Sequence, residues 1–392
     1  MKRKVFRLIL VPAVAGLIGL SCPAGANHET REPLIPQLTP SPTLSDSTVP
    51  ANGDLNPYGV AFVPDGFPRG GVLRPEDIIV SNFNNSGNLQ GTGTTIVRVN
   101  NSGAPTLFFE GQPNLGLTTA LGIVRRGFVL VGDLPSLDGS GACVAESGPT
   151  QNVGQGGLLI IDEHGNLLQT LASATLLNGP WDLTLKDEGD RATVFVANAL
   201  SGTVTRLDLR FRGGEGMENS NPAGNAMGGS GGPVIIERAT QIASGYGHRC
   251  DPAAFVVGPT GVALDEDNDI LYVSSTEDNA IFAIHNASAR RTDAGMGDLV
   301  TSDSTHLHGP LGLTLAPNGD LLSTQSDVVN TDPSQLSELV EFTQAGNFVA
   351  EHQVDPTAGS AFGLAVRQKG DGFVFATVDD TTDVLDIWDV GK

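Results

Sequence analysis

The sequence is short of basic side chains. Lys and Arg number 22 against 44 Asp and Glu, a formal net charge of −22. Such a surface repels phosphate backbones and anionic lipid, which argues against nucleic-acid binding and membrane-surface adhesion. Cysteines number 3, too few for a small disulfide-stapled scaffold. Aromatics make up 5%. Almost no stretch carries a helical period, so helical bundles have nothing to rest on. The main apolar run, Leu8 to Leu20, is shorter than the roughly 20 residues of a membrane span.

That run follows Met1-Lys2-Arg3-Lys4 and Arg7, and it precedes Ala24-Gly25-Ala26. A basic start, an apolar stretch and a small-x-small site form a secretory leader, residues 1–26, so the chain is expected to be exported to the periplasm or outside the cell. Cys22 offers a lipoprotein alternative, but Gly19-Leu20-Ser21 before it lacks the Leu of a lipobox. No membrane insertion is expected after cleavage. Residues 27–50, rich in Pro, Ser and Thr, are expected to be an extended lead-in, and residues 51–392 the folded unit.

What the sequence has is Gly, 50 of them, and a recurring pattern of short apolar strands. First strands read PYGVAF (57–62), ALGIV (120–124), PWDLTL (180–185), PTGVAL (259–264), PLGLTL (310–315) and AFGLAV (361–366). Each is followed by a second strand ending in a polar residue and then by a third. Weaker fourth strands are visible at 105–110, 167–171, 233–237 and 347–354. The repeated position is Gly59, Gly122, Asp182, Gly261, Gly312 and Gly363, spaced by between about 50 and 80 residues. Strands bounded by Gly, Asn, Asp and Pro, about four per repeat, predict an all-β, single six-bladed β-propeller with four-stranded blades. No fourth strand remains for blade 6, so an N-terminal strand near Pro33–Thr39 is expected to close the ring and remove an exposed edge. The unit is expected to be a monomer.

The repeat PTGVALDEDNDILYVSSTEDNAIFAI (259–284) resembles the NHL repeat. LHGPLGLTLAPNGDLLSTQSD (307–327) resembles both that family and the gluconolactonase (senescence-marker-protein) propellers. The resemblance implies that first strands line a central channel and that the loops entering them lie on the ligand face. It also implies a divalent metal held by Glu, Asn and Asp. The matching positions here are Tyr58, Thr260 and Leu311, which cannot replace those ligands.

Candidate site residues follow. Tyr58, Leu121, Trp181, Thr260, Leu311 and Phe362 precede the repeated position and should point at the channel mouth, as a ligand surface or as plain core. Asn82, Asp133, Asn198, Ser275 and Gln325 end the second strands, with Val378 as the odd member. They form an oxygen-rich ring suited to Ca²⁺ or a polar ligand, or else they cap strand ends. His248, His306 and His308 lie in loops entering blades 4 and 5 and form a possible Zn²⁺ set; the amidating-lyase propellers, relatives in fold, use histidines in this way. Cys143 and Cys250 should project from one face, where a disulfide needs Cα atoms about 4.4–6.8 Å apart. A bond between them would remove Cys250 as a metal ligand. No catalytic triad, nucleophile elbow or phosphate loop is present. The reading is a binding scaffold for a small molecule or protein at the channel mouth. The alternative is a metal-assisted hydrolase or lyase there, and no bound cofactor, Ca²⁺ and Zn²⁺ all stay open.

Overall fold

The computed structural model describes residues 32–99, 104–143, 152–212, 225–226, 232–331 and 339–391. The proposed leader and most of the Gly-rich insertion at 212–232 lie outside the described residues. Among the described residues no helix is long and apolar enough to cross a membrane.

Six antiparallel sheets form six blades. Their inner strands are Leu55–Phe62, Leu117–Val124, Pro180–Asp187, Pro259–Asp265, Pro310–Leu315 and Ala361–Lys369. Each blade runs outward in sequence order, so every connection within a blade is local. Blade 6 is the exception. Its fourth strand is Leu44–Ser47, which pairs with Val384–Val390 at the far end of the chain. An N-terminal strand therefore closes the ring, but it lies at 44–47 and not at Pro33–Thr39. The earlier segment instead forms a 3₁₀ turn at Ile35–Gln37. Its Leu34 and Ile35 amides donate to the buried Glu341 carboxylate of blade 5, both at 2.8 Å. Pro33 before this turn and Pro36 within it limit the segment's use as a ladder strand, because proline cannot donate to one.

The blades hold together through alternation. Along a strand, successive side chains face opposite ways, so each second strand feeds two neighbours. Ile79 of blade 1 packs with Val129 and Val131 of blade 2. Ile78 and Val80 pack the other way, with Ala376 and Val378 of blade 6. Val194 and Val196 of blade 3 face blade 2, and Phe195 and Ala197 face blade 4. Further clusters join blades 4 to 5 and 5 to 6. Burying a large aliphatic or aromatic side chain contributes about 1.5–3 kcal/mol, and these inter-blade clusters use both apolar faces of the second strands. Arg206 adds a polar clamp. It is buried in blade 3, pairs with Asp208 and donates to the carbonyls of Ser288 and Arg290 in the loop after blade 4's third strand.

The repeated glycine has a steric cause. A Cβ on Gly261 or Gly312 would stand 2.5 Å from the carbonyl oxygen of Leu311 or Phe362 in the next blade. The inner strands crowd one another around the axis, and only a hydrogen fits there.

Two registers differ from the sequence pattern. Blade 2's inner strand starts at Leu117 and carries one more residue in its bulge than the other blades, so Leu121 matches Val60 in the ladder, not Tyr58. Blade 6 pairs Ala361 with Asp379, as blade 5 pairs Pro310 with Gln325. Asp379, not Val378, is the sixth member of the strand-end ring. Blade 4 also has a fourth strand, Asp298–Thr301, whose four residues are too polar to stand out in the sequence.

Candidate functional site

In all six inner strands the ladder shifts register near its start, in blade 2 between Leu117 and Leu121. Blade 1 shifts register between Pro57 and Val60, and blades 4, 5 and 6 shift between Pro259 and Val262, Pro310 and Leu313, and Ala361 and Leu364. Blade 3 shifts between Pro180 and Asp182. A bulge re-aims the residues it frees. Here it places Tyr58, Trp181, Leu311 and Phe362 in one cluster with Phe83 and Phe255 at the end of the axis. Tyr58 stacks on Phe83 and on Phe362, with ring centroids 4.6 and 4.5 Å apart, and meets Trp181 edge to face at 5.6 Å. Offset stacks and edge contacts of this kind are worth about 0.5–1.5 kcal/mol beyond burial.

This cluster is a floor as well as a plug. Over it lies a cavity of about 640 Å³, with Tyr58, Trp181, Leu311 and Phe362 among its lining residues. Its walls bring Asn56, Asp251, Asp327 and Asp380 from four different segments. Along the inner strands toward the opposite end lies a second cavity of about 390 Å³, lined mainly by aliphatic side chains and by Asp182. Burial pushes the Asp182 carboxyl up to about 8, against the lowering effect of bonds from the Val262 and Leu183 amides.

One wall of the mouth cavity is a hairpin, Arg249–Asp251 paired with Phe255–Val257, where the sequence suggested only a loop. Phe255 adopts a positive φ of 64° and drives its ring against Phe83 at 5.9 Å. Gln90 of blade 1 donates to the Ala253 carbonyl at 2.7 Å. The hairpin is also tied covalently, because Cys250 is bonded to Cys143 with Cα atoms 5.3 Å apart. That bond leaves Cys250 unable to bind a metal.

The polar ring does not converge on the axis. Asn82 donates to the Thr95 hydroxyl and the Thr48 carbonyl, Asp133 accepts from Gly157, and Asn198 accepts from Asn178. Ser275 bonds Asp278, and Gln325 accepts from the His308 amide. These side chains cap loops of their own or adjoining segments, the plain role of Asn, Asp and Ser at strand ends. Burial pushes the Asp133 carboxyl up to about 7. Thr260 likewise turns from the mouth to bridge Thr276 and the Pro310 carbonyl.

The histidines have separate partners. His248 meets the Tyr246 carbonyl at 3.1 Å. His306 pairs with Asp303 at 2.7 Å and stacks on Phe348 at the outer edge of blade 5. His308 is buried against Asn330. Among the described residues no three His, Cys, Asp or Glu side chains are grouped to hold a metal ion. The expected three-histidine set is therefore not assembled. The two imidazoles of His306-x-His308 diverge because the loop turns between them, with the Leu307 amide bonded back to Asp303.

Three buried polar atoms of residues in the cavity lining have no hydrogen-bond partner: the Trp181 indole nitrogen, in a residue 1% exposed, the Asn56 side-chain oxygen, in a residue 7% exposed, and the Gln90 side-chain oxygen. Asn56 sits at a positive φ of 59°, and its backbone amide is held by Asp383 at 2.8 Å. Asp380 stands nearby: after burial, its charge pushes the Tyr58 hydroxyl up. Burial first, then Asp383 and Asp379, push the Asp380 carboxyl up to about 7. The sequence signals missed were the loops after the second strands of blades 5 and 6, where Asp327 and Asp380 lie, and Asn56, two residues before Tyr58.

No family model matches the chain, and no curated protein matches it. Among solved structures it is similar to a gluconolactonase of Xanthomonas campestris, at 14% identity and a TM-score of 0.47 over 88% of this chain and 95% of that one. It is similar also to regucalcin, a calcium-binding protein of Agrobacterium tumefaciens, at 12% identity and a TM-score of 0.45 over 87% and 92%.

Proposed function

We propose that this propeller is a binding module for a small molecule, taken up in the mouth cavity. The observation that carries this is an aromatic floor in a cavity whose lining residues hold buried, unpartnered polar atoms, the Trp181 N–H and the side-chain oxygens of Asn56 and Gln90. A buried polar group without a partner costs about 1–3 kcal/mol, and a ligand that satisfies these atoms recovers that cost on binding. A pocket of mostly apolar lining with a few convergent polar groups is the usual form of a small-molecule site. Export is part of the reading. The Cys143–Cys250 bond, which braces the cavity wall, suits an oxidising compartment. A metal-assisted hydrolase needs several converging ligands, and the described residues do not group them.

The test is Trp181→Phe, which keeps a ring in the floor and removes the N–H. Small-molecule libraries screened by thermal shift should yield ligands that stabilise the wild type by mass action. The variant should melt within a few degrees of the wild type and bind those ligands about tenfold or more weakly. Ligands that bind both proteins equally would remove the mouth cavity from consideration.

A further inference from the structure

We infer that the ligand is a small organic cation, its ammonium held between the Asn56 side-chain oxygen and the Asp380 carboxylate and its body laid against Trp181 and Phe362. The inference rests on the reading of the mouth cavity as a ligand site and adds the chemistry of what enters it.

The cavity lining contains Asp251, Asp327 and Asp380, and no Lys, Arg or His. The three carboxylates differ in what they already hold. Asp251 is paired with Arg249 at 3.0 Å. Asp327 accepts from the Gly359 amide at 2.8 Å. Around Asp380 the charged groups that act are both acidic, Asp383 and Asp379, and each of those is engaged locally. Asp383 accepts from the Asn56 amide, and Asp379 accepts from Thr381 and Thr382. Asp380 is left facing the cavity beside the Tyr58 hydroxyl, with like charges behind it and no counter-charge supplied by the lining.

A cation in that position answers three features together. It relieves the repulsion among Asp379, Asp380 and Asp383. Its N–H groups give the Asn56 oxygen, an acceptor only, the donor it lacks. It also lies over aromatic faces, where a cation gains about 0.5–2 kcal/mol. The Trp181 N–H adds a preference for an acceptor oxygen elsewhere on the same molecule. An anion would meet three carboxylates with no basic side chain in the lining, and a purely apolar ligand would leave the orphan atoms unpaired. The strongly acidic chain as a whole draws cations toward the mouth.

Titration calorimetry with defined probes tests this. Tyramine and 6-amino-6-deoxy-D-glucose carry the ammonium on an aromatic and on a sugar body; tyrosol and D-glucose are the neutral counterparts. At about pH 8 at least one ammonium probe should bind, with its neutral counterpart about tenfold or more weaker. Asp380→Asn should lower that affinity about tenfold while the unliganded variant melts no lower than the wild type. A reading on the wild type guards against a variant that folds badly: affinity for the ammonium probe should fall about tenfold from about pH 8 to about pH 6 as Asp380 takes up its proton, with Asp379, Asp383, Asp327 and Tyr58 as its titratable surroundings. Neutral probes that bind as tightly as the ammonium probes, and still lose affinity in Trp181→Phe, would overturn the cation inference and leave the cavity as the ligand site. Displacement of a bound ammonium probe by Ca²⁺ would assign the carboxylates to a metal ion and overturn it as well, as would the failure of every ammonium probe to bind.

Discussion

Single side chains decide what the mouth of this channel can recognise, and they differ in how plainly the sequence announces them. Tyr58, Trp181 and Phe362 were visible because each precedes the repeated inner-strand position, and the bulge there delivers all three to one cluster. Asn56 and Asp380 were not, because their roles depend on where turns carry them and turns have no period. The strand-end polar residues were legible as a ring but not in purpose, since Asn82 and Asn198 spend their bonds on nearby backbone and hydroxyl groups. A titration follows from Asp380. Its carboxyl sits at about 7 when folded, above an unfolded value of about 4, so the folded chain binds the extra proton between them. The stability this lends is present below about pH 4 and is lost as pH rises through about 7. Thermal melts of wild type and Asp380→Asn should therefore diverge as pH rises from about 4 to about 7, with the wild type losing stability more steeply, and run parallel above that. Profiles parallel between about pH 4 and about pH 7 as well would show that this carboxyl does not titrate there.

At the scale of elements, inner and middle strands were readable because burial on two opposed faces leaves a short, continuous apolar run bounded by turn residues. The outer strands were not. Asp298–Thr301 meets solvent, and Leu44–Ser47 lies in a segment whose composition reads as a lead-in. What identifies the closing strand is its partner, 340 or so residues away, and pairing at that distance leaves no local trace. The 3₁₀ turn before it is anchored by Glu341, which is fully buried and accepts two amides. Glu341→Ala would strand both amides, at about 1–3 kcal/mol for each. Denaturant melts should show that loss, while ligand affinity at the mouth stays at its wild-type value. A variant as stable as the wild type would mean the turn is not anchored by this carboxylate.

Over the whole molecule, the ring is a set of inter-blade cores arranged around an axis, and the order of blades puts bulge after bulge at one end of that axis. The site is thus a consequence of the repeat: all six inner strands carry the bulge, and residues from four of them floor the cavity. The hairpin at 249–257 and its disulfide then wall it. The chain has two tryptophans, which makes the central claim directly observable. The Trp388 indole donates to the Thr39 carbonyl at 2.9 Å near the ring closure, and the Trp181 indole is unpartnered in the cavity floor. A ¹H–¹⁵N spectrum of the folded protein should show two indole cross-peaks, assigned by Trp181→Phe. Titration with the ammonium probe that binds best should move the Trp181 peak to a new saturating position and leave the Trp388 peak in place. Saturating binding that moves only the Trp388 peak, or neither peak, would contradict the account.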